Sequence, residues 1–131
     1  MHVETSAVVG ILLEEPEASG LLARLSAADR PVTSVVNAVE AALSVGRSIK
    51  DYALAGRLVG DFLDKSGIEI IGVAPDLYDD VVRAYTRYGK GAGHPAKLNF
   101  GDCFSYALAK RAGVPLLYKG NDFSLTDLAN G

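Results

Sequence analysis

Four acidic residues occupy positions where an ordinary surface carboxylate is not expected. Each lies in or directly after a predicted apolar strand or helix; they are Glu4, Glu40, Asp102 and Asp122. A buried carboxylate is costly unless it is hydrogen-bonded, paired with a cation or bound to a metal. Oxygen ligands without histidine or cysteine favour Mg²⁺ or Mn²⁺ over zinc. The pattern therefore indicates a divalent-metal site, with internal ion pairs as the alternative.

Asp102 belongs to the segment around which the rest of the chain is organised. Residues 99–112 have apolar and small residues at helical spacing, and Asn99 is the predicted N-cap. A carboxylate in the first turn is stabilised by the free N–H groups and by the helix dipole. Asp102 taken alone is therefore explained without any function, and its significance depends on the other acids.

Glu40 lies in a predicted helix, Ser34 to Val45, that is apolar nearly all round. Within Val35 to Leu43, Asn37 is the only other polar residue, and residues three apart share a helix face. We expect a mostly buried helix whose polar stripe meets a cation, a hydrogen-bond donor or a metal.

Length and composition indicate a single domain over residues 1–131. The chain is 49% hydrophobic and 22% charged, which is ordinary for a globular protein. The N-terminal residues lack a basic region, and the apolar run from Ala7 to Leu13 is short, so we expect a cytoplasmic protein without a signal peptide or a membrane span. The only cysteine, Cys103, is more often a small buried side chain than a nucleophile.

The net charge of −3 hides a basic segment. Residues 83–119 contain seven lysines and arginines and His94, against one acid, Asp102. Such a segment suits a polyanionic substrate that approaches a carboxylate-held cation, although solvated helix faces give the same count. The surface candidates for steering nucleic acid are Lys90, Lys97 and Lys119.

Short apolar strands alternate with helices along the whole chain, which indicates an α/β sandwich with a small, mostly parallel sheet. Thr5 or Ser6 is the predicted N-cap of the first helix. In the predicted helix from Asp51 to Lys65, the residues expected to face the core are Leu54, Leu58, Phe62 and Leu63. Glu4 ends the first strand, and Asn121 and Asp122 follow the last. In such sheets, sites form beyond the carboxyl ends of the strands.

These residues together resemble the PIN-domain VapC toxins of bacterial toxin–antitoxin systems. The resemblance rests on Val3-Glu-Thr-Ser-Ala7, on Glu40 in its apolar helix, on Asn99-Phe-Gly-Asp-Cys-Phe104 and on Leu116-Leu-Tyr-Lys-Gly-Asn-Asp-Phe123. It implies a PIN-like three-layer sandwich with a four- to five-stranded, mostly parallel sheet flanked by helices. It also implies a Mg²⁺- or Mn²⁺-dependent endoribonuclease that cleaves tRNA or rRNA, is neutralised by a VapB antitoxin and forms a homodimer.

The resemblance assigns roles to the acids. Glu4, Asp102 and Asp122 hold the metal, and Glu40 orients a water or acts as general base. Ser6 and Asn121 are supporting residues; Ser6 contacts a phosphate or a metal-bound water, although helix capping also explains it.

Two positions depart from the family pattern. Members normally have aspartate in place of Glu4, and commonly a pair of aspartates in place of Asn121-Asp122. Glutamate is longer by one methylene, about 1.5 Å, while Mg²⁺ demands a near-ideal octahedron.

Two other functions remain open. The first is a catalytically impaired PIN fold that only binds an antitoxin. The second is a receiver-like signalling domain, in which Lys119 would follow a late strand; it requires an aspartate at the end of a central strand, and Glu69-Ile-Ile-Gly-Val73 offers none.

Overall fold

The computed structural model describes residues 1–128, so the last three residues of the predicted domain lie outside the described part. The chain forms six α-helices and four strands within that range. In chain order these are β1 (His2–Val3), α1 (Thr5–Leu12), α2 (Ala18–Ser26), β2 (Val32–Ser34), α3 (Val35–Ile49), α4 (Tyr52–Lys65), β3 (Glu69–Ile71), α5 (Leu77–Tyr88), α6 (Phe100–Ala112) and β4 (Leu116–Leu117). Short 3-10 turns cover Lys90–Ala92 and Phe123–Leu125.

The four strands form one parallel sheet in the order β3-β2-β1-β4. His2 lies opposite Val32 on one side and Leu116 on the other. The prediction of a small, mostly parallel sheet is confirmed. Each strand is only two or three residues long.

Helices cover both faces of the sheet and produce three layers. Val3 and Leu117 pack with apolar residues of α1 to α4 in one buried cluster. Leu116 packs with residues of α5 and α6 in a second cluster. Because neighbouring residues of a strand point to opposite faces, the two leucines of β4 anchor one layer each.

The buried face of α4 matches the prediction only in part: Leu63 is buried and Phe62 packs against the core, as predicted. Leu54 and Leu58 are exposed, and the core side is formed by Ala55, Val59 and Leu63. These three are spaced by four residues, and the small Ala55 permits close packing of α4 on α3. The prediction of a mostly buried α3 is also wrong, because its valines and leucine on one side, Val35, Val39 and Leu43, are exposed.

The helix caps are partly as predicted. Asn99 caps α6, and Gly67, with φ of 67°, follows α4 in the left-handed conformation that favours glycine. The N-cap of α1 is not Thr5 or Ser6 but Glu4, whose carboxylate accepts the N–H of Ser6. The longer acidic side chain reaches the free N–H groups that the sequence pattern assigned to a hydroxyl.

Two further features bear on function. None of the helices within residues 1–128 combines the length and hydrophobicity needed to cross a bilayer. Cys103 is buried, as predicted, and its burial raises the pKa of the thiol to about 11. A protonated, buried thiol is a poor nucleophile.

Candidate active site

A cleft of about 350 Å³ opens where β1 and β4 end. From β1 the sheet grows first towards β2 and β3, and the last strand is then added on the opposite side of β1. Open parallel sheets form their binding crevices at such a reversal, beyond the carboxyl ends of the strands. All four predicted acids line this cleft. The sequence placed them in four separate elements, and the fold brings them together.

Glu4 is the most buried of the four acids, with 2% of its surface exposed. Its Oε2 accepts the backbone N–H of Ser6 at 2.8 Å and also the Ser6 hydroxyl. The Ser6 hydroxyl in turn accepts the N–H of Lys119 at 2.9 Å, which ties β1 to the end of β4. Burial, with a contribution from the charges of Asp102 and Glu40, raises the pKa of Glu4 to about 8.

Asp102 is buried at the start of α6, where it completes a capping box. Its backbone N–H donates to Asn99 Oδ1 at 2.8 Å, and its Oδ2 accepts the N–H of Asn99 at 3.0 Å. Burial raises the pKa of Asp102, and the carboxylates of Asp122 and Glu40 raise it further, against the hydrogen bond from Asn99. The capping hydrogen bonds therefore orient the Asp102 carboxylate but do not offset the rise in its pKa.

Glu40 is half-buried on α3, and its Oε1 accepts the hydroxyl of Thr5 at 2.7 Å. This bond supplies the donor that the sequence analysis required. Gly101 lies directly against the Glu40 carboxylate, and a Cβ at that position would overlap its oxygens. The glycine in the sequence Phe-Gly-Asp thus allows α6 to bring Asp102 close to Glu40.

Asp122 lies after β4 on the exposed side of the cleft, just before the turn Phe123–Leu125. Its charge contributes to the raised pKa of Asp102, which places the two carboxylates near each other. The predicted supporting residue Asn121 is exposed, and its backbone carbonyl accepts the Ser124 hydroxyl at 2.6 Å. Asn121 does not line the cleft.

Asn37 is a buried residue whose role the sequence analysis did not identify. Its side-chain amide donates to the carbonyl of Gly101 and to the hydroxyl of Thr5, each at 3.3 Å. Its Oδ1 accepts the Ser34 hydroxyl at 2.7 Å and lies 3.3 Å from His2 Nε2. The only sequence signal was the position of Asn37 on the same apolar helix as Glu40. One amide thus joins β1, α1, α3 and α6 behind the cleft.

The cations around the cleft differ from the prediction in part. Lys119 lines the cleft, but its ammonium is paired with Glu15 and lies 3.8 Å from Glu17. Lys90 and Lys97 are exposed in the connection between α5 and α6, and neither lines the cleft. Arg47 does line it, and the spacing Glu40, Ser44, Arg47 along α3 is the signal that could have identified it.

The donor set fits a hard divalent cation. Five acids and two cations line the cleft, and one of those cations is already paired with an acid. No group of three acidic, histidine or cysteine side chains within residues 1–128 is arranged as a ready-made metal site. Mg²⁺ commonly keeps several waters and binds one or two carboxylates directly. The raised pKa values of Glu4 and Asp102 reflect repulsion and burial that a bound cation would relieve.

Comparison with known sequences gives the family. Residues 1–128 match the family described as PIN domain. Ribonuclease VapC of Mycolicibacterium smegmatis is 42% identical over 129 residues, which cover 98% of each chain. Ribonuclease VapC42 of Mycobacterium tuberculosis is 41% identical over 128 residues, covering 98% of this chain and 96% of the relative.

Comparison with solved structures supports the same fold at much lower identity. The Mycobacterium tuberculosis toxin VapC20, described as cleaving the sarcin–ricin loop, has a TM-score of 0.74 at 16% identity and covers 94% of this chain and 92% of its own. A toxin–antitoxin complex from Klebsiella pneumoniae has a TM-score of 0.68 at 16% identity, covering 97% and 92%. The PIN-domain match and the VapC relatives cover nearly the whole chain, and the two solved structures share its fold. The chain belongs to the VapC branch of the PIN-domain family.

Proposed function

We propose that this protein is a divalent-metal-dependent endoribonuclease and the toxin of a toxin–antitoxin pair. One observation carries the proposal: four carboxylates from four separate elements line a single cleft at the carboxyl edge of the sheet. The VapC relatives named as ribonucleases cover nearly the whole chain and support the same activity.

Glu4, Asp102 and Asp122 are the residues that would hold Mg²⁺ or Mn²⁺. The bound cation supplies Lewis-acid chemistry, which neutralises phosphate charge and lowers the pKa of water. Asp102 is oriented for this role by its capping box, and Glu4 by its two bonds from Ser6. Asp122, on the exposed side, is the ligand with the most freedom to adjust to the octahedral geometry that Mg²⁺ demands.

We assign Glu40 to orienting the attacking water or accepting its proton. The Thr5 hydroxyl holds one oxygen of its carboxylate, and the charge of Glu40 contributes to the raised pKa of Asp102 in the same cleft. The Ser6 hydroxyl already bonds Glu4 and the Lys119 N–H, so we assign it to the support of Glu4 rather than to phosphate binding. Asn121, outside the cleft wall, supports the turn that carries Asp122.

The substrate we propose is structured RNA of the translation machinery, tRNA or rRNA, so that cleavage inhibits translation. VapC20, which shares the fold, is described as cutting the sarcin–ricin loop. The basic segment of residues 83–119 supplies the positive potential that a polyanion requires.

We also propose that a VapB-type antitoxin neutralises the protein and that the toxin forms a homodimer. A structural neighbour is a toxin–antitoxin complex. The exposed apolar side chains of α3 and α4 form a surface of the kind that partner proteins cover; they are Val35, Val39, Leu43, Leu54 and Leu58.

The direct test is cleavage of tRNA and rRNA by the purified, antitoxin-free protein in Mn²⁺ or Mg²⁺. We expect discrete cuts that disappear with EDTA and with Asp102→Asn, which removes one carboxylate while keeping the shape of the capping box. Glu4→Asp, measured alongside, restores the family residue. Cleavage by Glu4→Asp alone would identify this chain as an impaired, antitoxin-binding variant.

If neither the natural chain nor Glu4→Asp cuts RNA, the catalytic proposal is wrong and antitoxin binding becomes the function. The fold does not support the receiver-like alternative, which requires an aspartate at the end of a central strand. Of the two central strands, β1 is followed by Glu4 and β2 ends at Ser34.

A further inference from the structure

A groove of about 620 Å³, separate from the acidic cleft, lies between α5 and α6. We name it the α5–α6 groove. Its walls carry four cations: Arg83, Arg87, Lys110 and Arg111. None of these side chains has a role in the acidic cleft, and the metal site does not need them.

The cations of the α5–α6 groove are held in ion pairs with three aspartates. Arg111 pairs with Asp76 and Asp80, at 2.9 and 2.7 Å, and Lys110 pairs with Asp127 at 3.1 Å. These pairs leave the groove with one more cation than anion. They are also open to solvent, where an ion pair contributes little, so a phosphate can replace a carboxylate at low cost.

Arg83 and Arg87 are the most accessible cations of the groove. Their side chains are 71% and 64% exposed; Arg83 pairs with Asp80 at 2.5 Å, and Arg87 makes only a long contact, 3.9 Å, to Asp127. The Arg87 guanidinium lies over the Tyr88 ring at 4.7 Å from its centre, which holds its N–H donors at the groove edge. Arginine donors fixed in this way suit phosphate oxygens.

The groove and the acidic cleft are consecutive along α6. Asp102 lines the cleft, and Lys110, eight residues later, lines the groove, which is about 12 Å along the helix axis. The segment after β4 borders both: Asp122 lines the cleft, and Asp127 accepts the Tyr106 hydroxyl at 2.6 Å beside Lys110. A polyanion bound in the groove can therefore extend into the cleft.

We propose that the α5–α6 groove binds the ribose-phosphate backbone of RNA next to the cleavage site. The choice of RNA over another polyanion rests on the proposed function, whereas the basic groove itself does not. An acidic peptide segment of a partner protein is the competing occupant, and the test below separates the two.

The test measures binding of a fluorescently labelled tRNA to the metal-free protein in EDTA, so that no cleavage occurs. The probe variant combines Arg83→Ala and Arg87→Ala, which are exposed and so leave the fold intact. We expect RNA affinity to fall by at least fivefold. The slope of log affinity against log salt should decrease in magnitude by about 1.4, if two single-strand phosphate contacts are lost.

Two control variants sharpen the result. Arg24→Ala with Arg57→Ala removes the same charge from exposed positions of α2 and α4, away from the groove, and should leave affinity unchanged. Arg83→Lys with Arg87→Lys keeps the charge and should retain most of the salt slope. Equal losses of affinity in the groove variant and in the α2–α4 variant would overturn the proposal, because only net charge would matter.

Competition on the unaltered protein distinguishes the two occupants without any variant. Unlabelled RNA should displace the labelled tRNA, whereas poly-L-glutamate at equal charge concentration should displace it at least tenfold less well. Equal displacement would assign the groove to an acidic peptide and overturn the RNA proposal.

The two proposals fail independently. Cleavage without any effect of the groove variant on RNA affinity would overturn the groove proposal and leave the nuclease intact. If RNA binding depends on the groove but no metal supports cleavage, the groove proposal stands and the nuclease proposal is wrong.

Discussion

The acidic cleft and the α5–α6 groove occupy successive positions along α6 but differ in the sign and the burial of their charges: the cleft has buried carboxylates and the groove has exposed cations. In the cleft, burial raises the pKa of both Glu4 and Asp102, and the charges of neighbouring carboxylates raise them further. In the groove, all four cations contact aspartates, and Arg83 and Arg87 do so with largely exposed side chains. A bound cation would therefore stabilise the carboxylates of the cleft, whereas the exposed ion pairs of the groove can exchange an aspartate for a phosphate.

The difference has an energetic basis. Exposed ion pairs such as those of the groove contribute between 0 and about 1 kcal/mol each, because water screens them. Buried carboxylates without a cation destabilise the fold, because ionisation requires desolvation as well as mutual repulsion. Changes in the cleft should thus have large effects on activity or stability, and changes in the groove should affect RNA binding with little effect on stability.

The largest effect is expected from Gly101→Ala. The added Cβ would overlap the Glu40 carboxylate, which is the mobile end of its side chain, so the fold survives while Glu40 is displaced from Asp102. We expect RNA cleavage to fall by about 100-fold, as for other small misplacements of catalytic groups. Cleavage assays together with thermal unfolding measure both effects.

The matched control for this prediction is Gly56→Ala in α4, where a Cβ would meet nothing within 4 Å. It should stabilise the protein by about 0.5 to 1 kcal/mol, since alanine favours a helix over glycine, and leave activity unchanged. Wild-type activity in Gly101→Ala would mean that the approach of α6 to Glu40 does not matter for function.

An intermediate effect is expected from Asn37→Ala, which removes the amide that joins four elements behind the cleft. The Ser34 hydroxyl would lose the acceptor of its proton, and His2 Nε2 would lose its contact with the Asn37 side chain. Leaving buried polar groups unpaired costs about 1 to 3 kcal/mol. Urea unfolding should detect this loss, while Ser48→Ala, on the exposed side of α3, should change stability by less than about 0.5 kcal/mol. Equal stability of the two variants would exclude the proposed role of Asn37.

The smallest effect is expected from Asp127→Asn at the edge of the groove. The hydroxyl of Tyr106, together with Lys110 and Arg87, lowers the pKa of Asp127 below its ordinary value of 3.8. A lowered carboxylate pKa stabilises the fold above that ordinary value, and the contribution is lost as the pH falls through the folded-state pKa. Wild type should therefore exceed Asp127→Asn in stability by less than about 1 kcal/mol at pH 6. The difference should shrink as the pH falls below 3.8 and vanish once the folded-state carboxylate is also protonated, as measured by urea unfolding across the acid range. A difference that persists in strong acid would contradict an electrostatic origin.

Much of the fold follows from patterns that act locally. The alternation of apolar strands with helices, the Asn99 cap and the stop at Gly67 were all predictable, because each depends on neighbouring residues. The buried face of α4 was not predictable from hydrophobicity alone, because the choice of Ala55 over Leu54 depends on how closely α3 approaches. Only tertiary packing decides which of two apolar stripes is covered.

The site shows the same division. The four predicted acids meet in the cleft, and the meeting of Glu4 with Asp122 follows from the rule that parallel strands bring their carboxyl ends to one edge. The fifth acid of the cleft, Glu15, was not predicted. The pairing of Lys119 with Glu15 and the bonds of Asn37 to Thr5 and Gly101 were not predictable. They join residues far apart in the chain through side-chain geometry that no spacing rule encodes.

The most direct test of the acidic cleft as a cation site is the stability of the metal-free protein against pH, for wild type and Glu4→Gln. The pKa of Glu4 rises from its ordinary 4.5 to about 8 on folding, so the folded state binds this proton more tightly. The stability of wild type should therefore fall as the pH rises from about 4.5 to 8. Glutamine, which carries no charge, should remove most of this fall and leave Glu4→Gln more stable at pH 7 by about 2 kcal/mol.

Addition of Mn²⁺ or Mg²⁺ at pH 7 completes the measurement. The account predicts that the metal stabilises wild type, reverses much of its loss at high pH and stabilises Glu4→Gln far less. Identical pH profiles for the two proteins, together with equal stabilisation by metal, would contradict the assignment of the cleft as a cation site built around Glu4.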